Sequence, residues 1–304
     1  MYDIIVVGGG PAGMTAALYA RRNGKSALVI EKEGFGGQIT HSPKVENYPG
    51  MASLSGNELA DLMMSQILDQ GAEIEIENVT GLEQNGTDWI VKTEEGSAFE
   101  GHTVILATGV KHRQLGLPGE EELIGEGISF CAVCDGDFYT GKEVIMVGGG
   151  NSALQEALLL ADKCSKVTVV QDLPYLTGEQ RLQDVLRARD NVTVITGQKV
   201  VEILKDGDAF KGIMVEDRES GTRQEIDSDG MFVAIGLIPE NDAFAAVADL
   251  NSYGYFDSDE SCLTKTAGLF VAGDCRSKTV RQVTTACADG ATAALAACHY
   301  LNRL

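Results

Sequence analysis

A chain of 304 residues, 44% of them hydrophobic, can bury the cores of two ordinary domains, and its net charge of −21 lacks the basic footprint that nucleic acid requires. No apolar run reaches the ~18 residues of a membrane span. The opening MYDIIVVGGG has neither the basic stretch nor the small-residue cleavage site of a signal peptide, so a soluble, cytoplasmic setting is expected. Seven cysteines, an odd count in a chain of this size, argue against a disulfide-stapled scaffold.

In chain order, residues 2–7 read as an apolar strand that runs into Gly8-Gly9-Gly10-Pro11-Ala12-Gly13. A helix is expected over 14–22 and a second strand over 26–30, ending at Glu31. The apolar stretch TVILATG (103–109) closes this unit through Ala107, Thr108 and Gly109. The pattern then repeats. A strand over 143–147 runs into Gly148-Gly149-Gly150-Asn151-Ser152-Ala153, followed by a helix over 154–162 and a strand over 166–170. MFVAIG (231–236) closes the second unit, and a third apolar strand over 268–273 leads to Asp274.

Both units are strand, G-x-G-x-x-G/A, helix, strand. The first glycine makes a tight turn, the second lets a pyrophosphate approach the backbone, and the third small residue lets helix pack on strand. Two copies in the right context are a strong signal for two dinucleotide sites. Glu31 lies 23 residues after Gly8, where an acidic side chain meets a ribose hydroxyl. The same offset from Gly148 lands on Gln171, beside Asp172. The expected fold is α/β: two Rossmann-like three-layer dinucleotide-binding domains, the second inserted in the first. Residues 1–114 and 247–304 form the first domain and 115–246 the second. The crossings near 111–118 and 240–247 carry the turn-forming GLPGE and GLIPEN.

CAVCDGD (131–137) holds the one closely spaced cysteine pair. Three readings compete. Zinc needs about four ligands, and neither a second C-x-x-C nor paired histidines exist. A static bridge over so short a loop removes little chain entropy. A redox dithiol at the edge of a nucleotide unit fits best, with Asp135 placed to carry a proton or to serve as a turn residue before Gly136. Cys164, Cys262, Cys275, Cys287 and Cys298 read as small packing residues, as does Trp89, the sole tryptophan.

The two glycine units with C-x-x-C-D just before the second resemble the low-molecular-weight thioredoxin reductase family. The likeness runs the whole chain through GGQIT (36–40), VENYPG (45–50), ATG (107–109), AIGLIPEN (234–241) and AGDC (272–275). It implies FAD in the first domain and a nicotinamide nucleotide in the second, in a homodimer. Carried over by position, FAD would lie on Gly8, Gly10, Pro11, Ala12, Gly13, Glu31, Gly37, Gln38, Asn47, Ala107, Thr108, Gly109, Asp274, Arg281 and Gln282. The nicotinamide nucleotide would lie on Gly148, Gly150, Asn151, Ser152, Ala153, Gln171 and Asp172. A helix beginning near Thr284 would aim its N-terminus at the flavin and favour its anionic reduced form. By the same resemblance Cys134 faces the flavin, Cys131 attacks the substrate disulfide, and Asp135 is the acid–base group. The family also implies a rotation of the second domain, with hinges at the two crossings.

The chain departs from the family at the ribose edge. NADPH-dependent members carry H-R-R-x-x-x-R there, because a 2′-phosphate needs cations. The matching positions are Gln171, Asp172, Leu173 and Thr177. Residues 167–190 look closer to the flavoprotein subunit of alkyl hydroperoxide reductase, a likeness that implies NADH. Three functional expectations follow. The first is an NADH-preferring reductase of thioredoxin, a peroxiredoxin or a glutaredoxin-like protein. The second is a reductase fed by ferredoxin, with a relic nucleotide loop. The third is a non-enzymatic flavin redox sensor.

Overall fold

A computed structural model describes residues 1–42 and 45–304. Two compact units emerge, one of residues 1–111 and 238–304, the other of residues 112–237.

In the first unit the strands Glu73–Ile76, Ala27–Glu31, Tyr2–Val7, Ala98–Leu106 and Leu269–Val271 lie side by side and parallel. The central strands are apolar on both faces because helices and loops cover both. Ile4, Ile5 and Val6 are fully buried and divide between two cores. Strands Val79–Asn85 and Asp88–Thr93 extend the sheet antiparallel from the first half of Ala98–Leu106. Helix Pro11–Arg22 begins with proline at its first turn, where the missing N–H costs nothing. Helix Val283–Leu301 crosses it so closely that a Cβ on Gly290 would lie 2.1 Å from Ala12 O. Trp89 is fully buried in the second core, as its packing role predicts.

The second unit repeats the plan. Strands Val192–Thr196, Lys166–Gln171, Glu143–Val147, Gly230–Val233 and Ile128–Ser129 are all parallel. A separate antiparallel sheet of Gln198–Asp206, Ala209–Asp217 and Arg223–Asp227 fills the crossover. Its turn returns to the end of Lys166–Gln171, where Gly197 N–H donates to Leu173 O and Arg218 N–H to Gly197 O, both at distances of 2.8–2.9 Å.

Several bounds differ from expectation, among them the strands expected over 231–236 and 268–273, which are Gly230–Val233 and Leu269–Val271. Both glycine-loop helices start about three residues earlier, at Pro11 and Asn151, because Pro11-Ala12-Gly13 and Asn151-Ser152-Ala153 form first turns, not loop. The strand expected over 103–109 is Ala98–Leu106, and its last three residues leave the sheet. The units part at 111/112 and 237/238, whereas the expected boundaries were 114/115 and 246/247. Residues 238–246 pack in the first unit because buried Asn241 donates to Gly254 O and Cys275 O, each at 2.9 Å, and Phe244 is buried beside Phe256.

Candidate functional site

The first glycine loop is built by steric exclusion. Gly8 takes φ +111°, and a Cβ there would sit 2.3 Å from Ala107 O, so only glycine closes this turn. A Cβ on Gly13 would sit 1.9 Å from Gly8 O. Gly10 faces open space, leaving room for a ligand against the backbone. The Glu31 carboxylate accepts from Gly9 N–H at 2.6 Å and from Glu33 N–H at 3.1 Å, which pins it at the strand end. Gly37, at φ +56°, brings its loop against Gly10, and Gln38 follows it, exposed, in the short 3-10 turn Gly37–His41.

The C-terminal segment comes to the same loop. A Cβ on Gly273 would lie 2.8 Å from Ala12 Cβ. Asp274 follows, and its Oδ1 is buried without a hydrogen-bond partner; Lys278 Nζ stands 3.8 Å away. Burial pushes the Asp274 carboxyl up to about 6 against the pull of Lys278 and Arg281. Arg281 donates to Asp274 O at 3.3 Å and lies 4.4 Å over the Tyr255 ring. Asn47 donates to Gln282 Oε1 at 3.3 Å, and Gln282 is the N-cap of Val283–Leu301. Thr108 donates to Asn241 Oδ1 at 2.8 Å, and Gly109 turns away at φ +67°. A cradle with room at Gly10, a helix N-terminus beyond it and an orphaned buried carboxylate oxygen fits a bound dinucleotide with free hydroxyl donors.

The second glycine loop is a near copy. Gly148 takes φ +134°, and its Cβ would meet Ala234 O at 2.4 Å, so Ala234 is the counterpart of Ala107. Ala153 replaces the third glycine and is fully buried. Asn151 and Ser152 are exposed at the helix start, and Asn151 Oδ1 accepts from Glu179 N–H at 2.7 Å. Gln171 takes the place of Glu31, packed against Gly149, but it is only 7% exposed and donates to Tyr175 O at 3.4 Å. The loop beyond it folds inward: Thr177 and Gly178 N–H both donate to Gly149 O at 2.8 and 2.9 Å. Asp172 meets Arg218 NH2 at 2.6 Å. The ribose edge therefore has a cation after all, delivered by the turn 217–221 and already paired with Asp172.

Cys131 and Cys134 are joined as a disulfide, their Cα atoms 5.3 Å apart. Cys131 caps the short helix Ala132–Asp135, and its sulfur accepts from Cys134 N–H at 3.2 Å. Asp135 is buried beneath, accepts from Ser129 Oγ at 2.6 Å, and leaves Oδ1 without a partner. Burial raises its carboxyl above the ordinary value against the Ser129 hydrogen bond. A second carboxylate, Glu156, accepts from Ala132 N–H at 3.1 Å. The other five cysteines are free; four are buried and Cys287 is half-buried.

Sequence reasoning found the glycines, Glu31, Asp274 and the cysteine pair. It missed Ala234, Ser129, Glu156, Asn241 and Arg218. Ala234 and Asn241 lay in plain view at the two ends of AIGLIPEN, whereas the meeting of Arg218 with Asp172 depends on the antiparallel sheet between them.

Two glycine-loop units and a C-x-x-C disulfide with a buried acid define an oxidoreductase of the two-dinucleotide type. The pyridine nucleotide-disulphide oxidoreductase family matches residues 2–290. Thioredoxin reductases of Listeria monocytogenes and Bacillus subtilis are 39% and 38% identical, over all of this chain and 95% and 96% of theirs. The crystal structure of thioredoxin reductase from Streptococcus pyogenes superposes with a TM-score of 0.94 at 38% identity, covering 100% of this chain and 99% of that one. The chain belongs to the pyridine nucleotide-disulphide oxidoreductases, in their low-molecular-weight thioredoxin reductase branch. It is an oxidoreductase that uses FAD and a pyridine nucleotide. No helix among the described residues is long and apolar enough to cross a membrane.

Proposed function

We propose that this enzyme is an NADH-preferring reductase that passes electrons through Cys131 and Cys134 to the disulfide of a thioredoxin, as a cytoplasmic homodimer. The observation that carries the donor preference is the ribose edge, where Gln171 is neutral and the cation that reaches it, Arg218, is held by Asp172. A 2′-phosphate there would be repelled by the Asp172 carboxylate, and Arg218 is already engaged by it. The relatives named thioredoxin reductase support the acceptor.

FAD would be held by Gly8, Gly10, Pro11, Ala12, Gly13, Glu31, Gly37, Gln38, Asn47, Ala107, Thr108, Gly109, Asp274, Arg281 and Gln282, and NADH by Gly148, Gly150, Asn151, Ser152, Ala153, Gln171 and Asp172. Bound FAD supplies the conversion of a two-electron hydride donor into a reductant of disulfides. The chain's own residues do the rest. Gly8 and Gly148 hold the turns from which the helix N-termini would meet the nucleotide phosphates. The Asp274 Oδ1, buried without a hydrogen-bond partner, would accept from a hydroxyl of the bound FAD. Cys131, half-exposed at the start of its helix, is the thiol that attacks the partner disulfide, while Cys134 closes the ring again. Asp135, kept protonatable by burial and oriented by Ser129, moves the proton as the disulfide opens.

The test is turnover of thioredoxin disulfide by the purified yellow protein with NADH or NADPH, alongside Cys131→Ser and Cys134→Ser. Turnover with NADH that either serine abolishes is expected. Turnover that survives both serines contradicts the relay; a peroxiredoxin or glutaredoxin-like disulfide reduced in place of thioredoxin contradicts the acceptor.

A further inference from the structure

We propose that Glu156 is a positioning residue for Cys131: its carboxylate fixes the amide that follows this cysteine, and its negative charge opposes thiolate there. This rests on the reading of Cys131 and Cys134 as the redox pair.

Glu156 lies on helix Asn151–Ala161, whose core-facing side is Ala153, Leu154, Ala157, Leu160 and Ala161. It is the sole ionisable residue of that helix. Ala132, fully buried, belongs to the same core cluster, and its N–H donates to Glu156 Oε2 at 3.1 Å. A carboxylate thus sits on the backbone between the two cysteines. A half-buried glutamate with a single hydrogen bond, beside that core-facing side, is costly for stability and calls for a role.

Several charged groups on the packed elements are paired with one another, Lys166 with Glu143 on the two strands beneath the helix among them. Asp135 bonds Ser129, and Asp137 pairs with Lys163 in the following turn. Tyr139 lies beyond, at the end of that turn, and helix Gln180–Arg187 brings Arg181, Asp184 and Arg187. None of these charges moves Glu156. Burial pushes its carboxyl up to about 7, and the Ala132 amide opposes this only in part. Near neutrality the carboxylate therefore gains and loses its charge, so it restrains Cys131 above pH 7 and releases it below.

The measurement is alkylation of the reduced holoprotein by iodoacetamide from pH 5.5 to 9.5, with Cys131 followed by peptide mapping. The wild-type rate should climb in two steps, with a break near pH 7. Glu156→Gln, which keeps an acceptor for Ala132, should climb in one step. At pH 8 its Cys131 should react about fivefold faster, the effect of removing one charge a few ångströms away through partly wet protein. Glu156→Met should also react faster at pH 8, whereas a purely structural clamp would leave Gln unchanged and disturb only Met. A wild-type profile with one ionisation overturns the proposal even if neither variant folds. Failure of the relay itself appears separately, as thioredoxin turnover that survives Cys131→Ser.

Discussion

Replacing Asp172 by serine is the perturbation that isolates donor choice. The carboxylate holds Arg218 at 2.6 Å, and the two side chains are 49% and 52% exposed, so the pair adds at most ~1 kcal/mol to folding. A 2′-phosphate of charge near −2 placed about 5 Å from Asp172 meets roughly 1.7 kcal/mol of repulsion at the dielectric of water. Releasing Arg218 to that phosphate adds about 1 kcal/mol after screening. Together, about 2–3 kcal/mol predicts a roughly 30- to 150-fold rise in kcat/KM for NADPH. The NADH value should move less than about threefold, since neither term acts on a ribose hydroxyl. Steady-state kinetics at low and high salt with both nucleotides reads this directly, and the NADPH gain should shrink with salt. An Asp172→Ser enzyme whose NADPH constant stays within threefold of wild type would refute the placement of Asp172 and Arg218 at the adenosine ribose.

Other outcomes follow from the same geometry. Gly148→Ala forces a positive φ on alanine and a clash with Ala234 O, so it should cost roughly 2–3 kcal/mol in urea unfolding, whereas Gly150→Ala should fold normally and raise the KM for NADH. Asp135→Asn should slow thioredoxin turnover by about 10²-fold, the usual size of a lost proton-transfer group, with flavin content unchanged. Asp289→Asn should lose about 3 kcal/mol at neutral pH, because it strands buried Arg276 and Lys278, which bond Asp289 at 2.8 and 2.9 Å. Burial alone would raise the Asp289 carboxyl, but those two cations win and hold it low. A depressed carboxyl stabilises the fold above its unfolded value of about 4 and loses that contribution as pH falls through the folded value. The wild-type and Asp289→Asn urea midpoints should therefore converge below about pH 4.

How much of this was legible before the structure depends on range along the chain. Gly8, Gly13 and Gly148 were readable because a turn of fixed length leaves no room for Cβ, which is a local constraint. Gln171 was readable as the counterpart of Glu31 because strand and helix lengths fix the offset. Its burial against Gly149 and Tyr175 O was not, since that depends on how the loop folds onto Gly149 O. Arg218 and Asp172 are 46 residues apart and meet only because the sheet between them returns its turn to the strand end. Glu156 and Ala132 are 24 apart, and one polar residue in an apolar helix face gave no hint of its partner. The second domain boundary was misplaced because Asn241, read as part of a crossing loop, is buried in the first unit. The two glycine-loop helices begin earlier than their apolar periodicity suggests, because Pro11 and Asn151 resemble turn residues but occupy first turns.

Anaerobic mixing of the oxidised holoprotein with NADH, and separately with NADPH, while following the flavin band near about 450 nm, tests the central claim most directly. Fast bleaching by NADH and much slower bleaching by NADPH is the result the proposed donor preference predicts, since Gln171 is neutral and Arg218 is engaged by Asp172. Faster bleaching by NADPH, or none by either nucleotide, would contradict it.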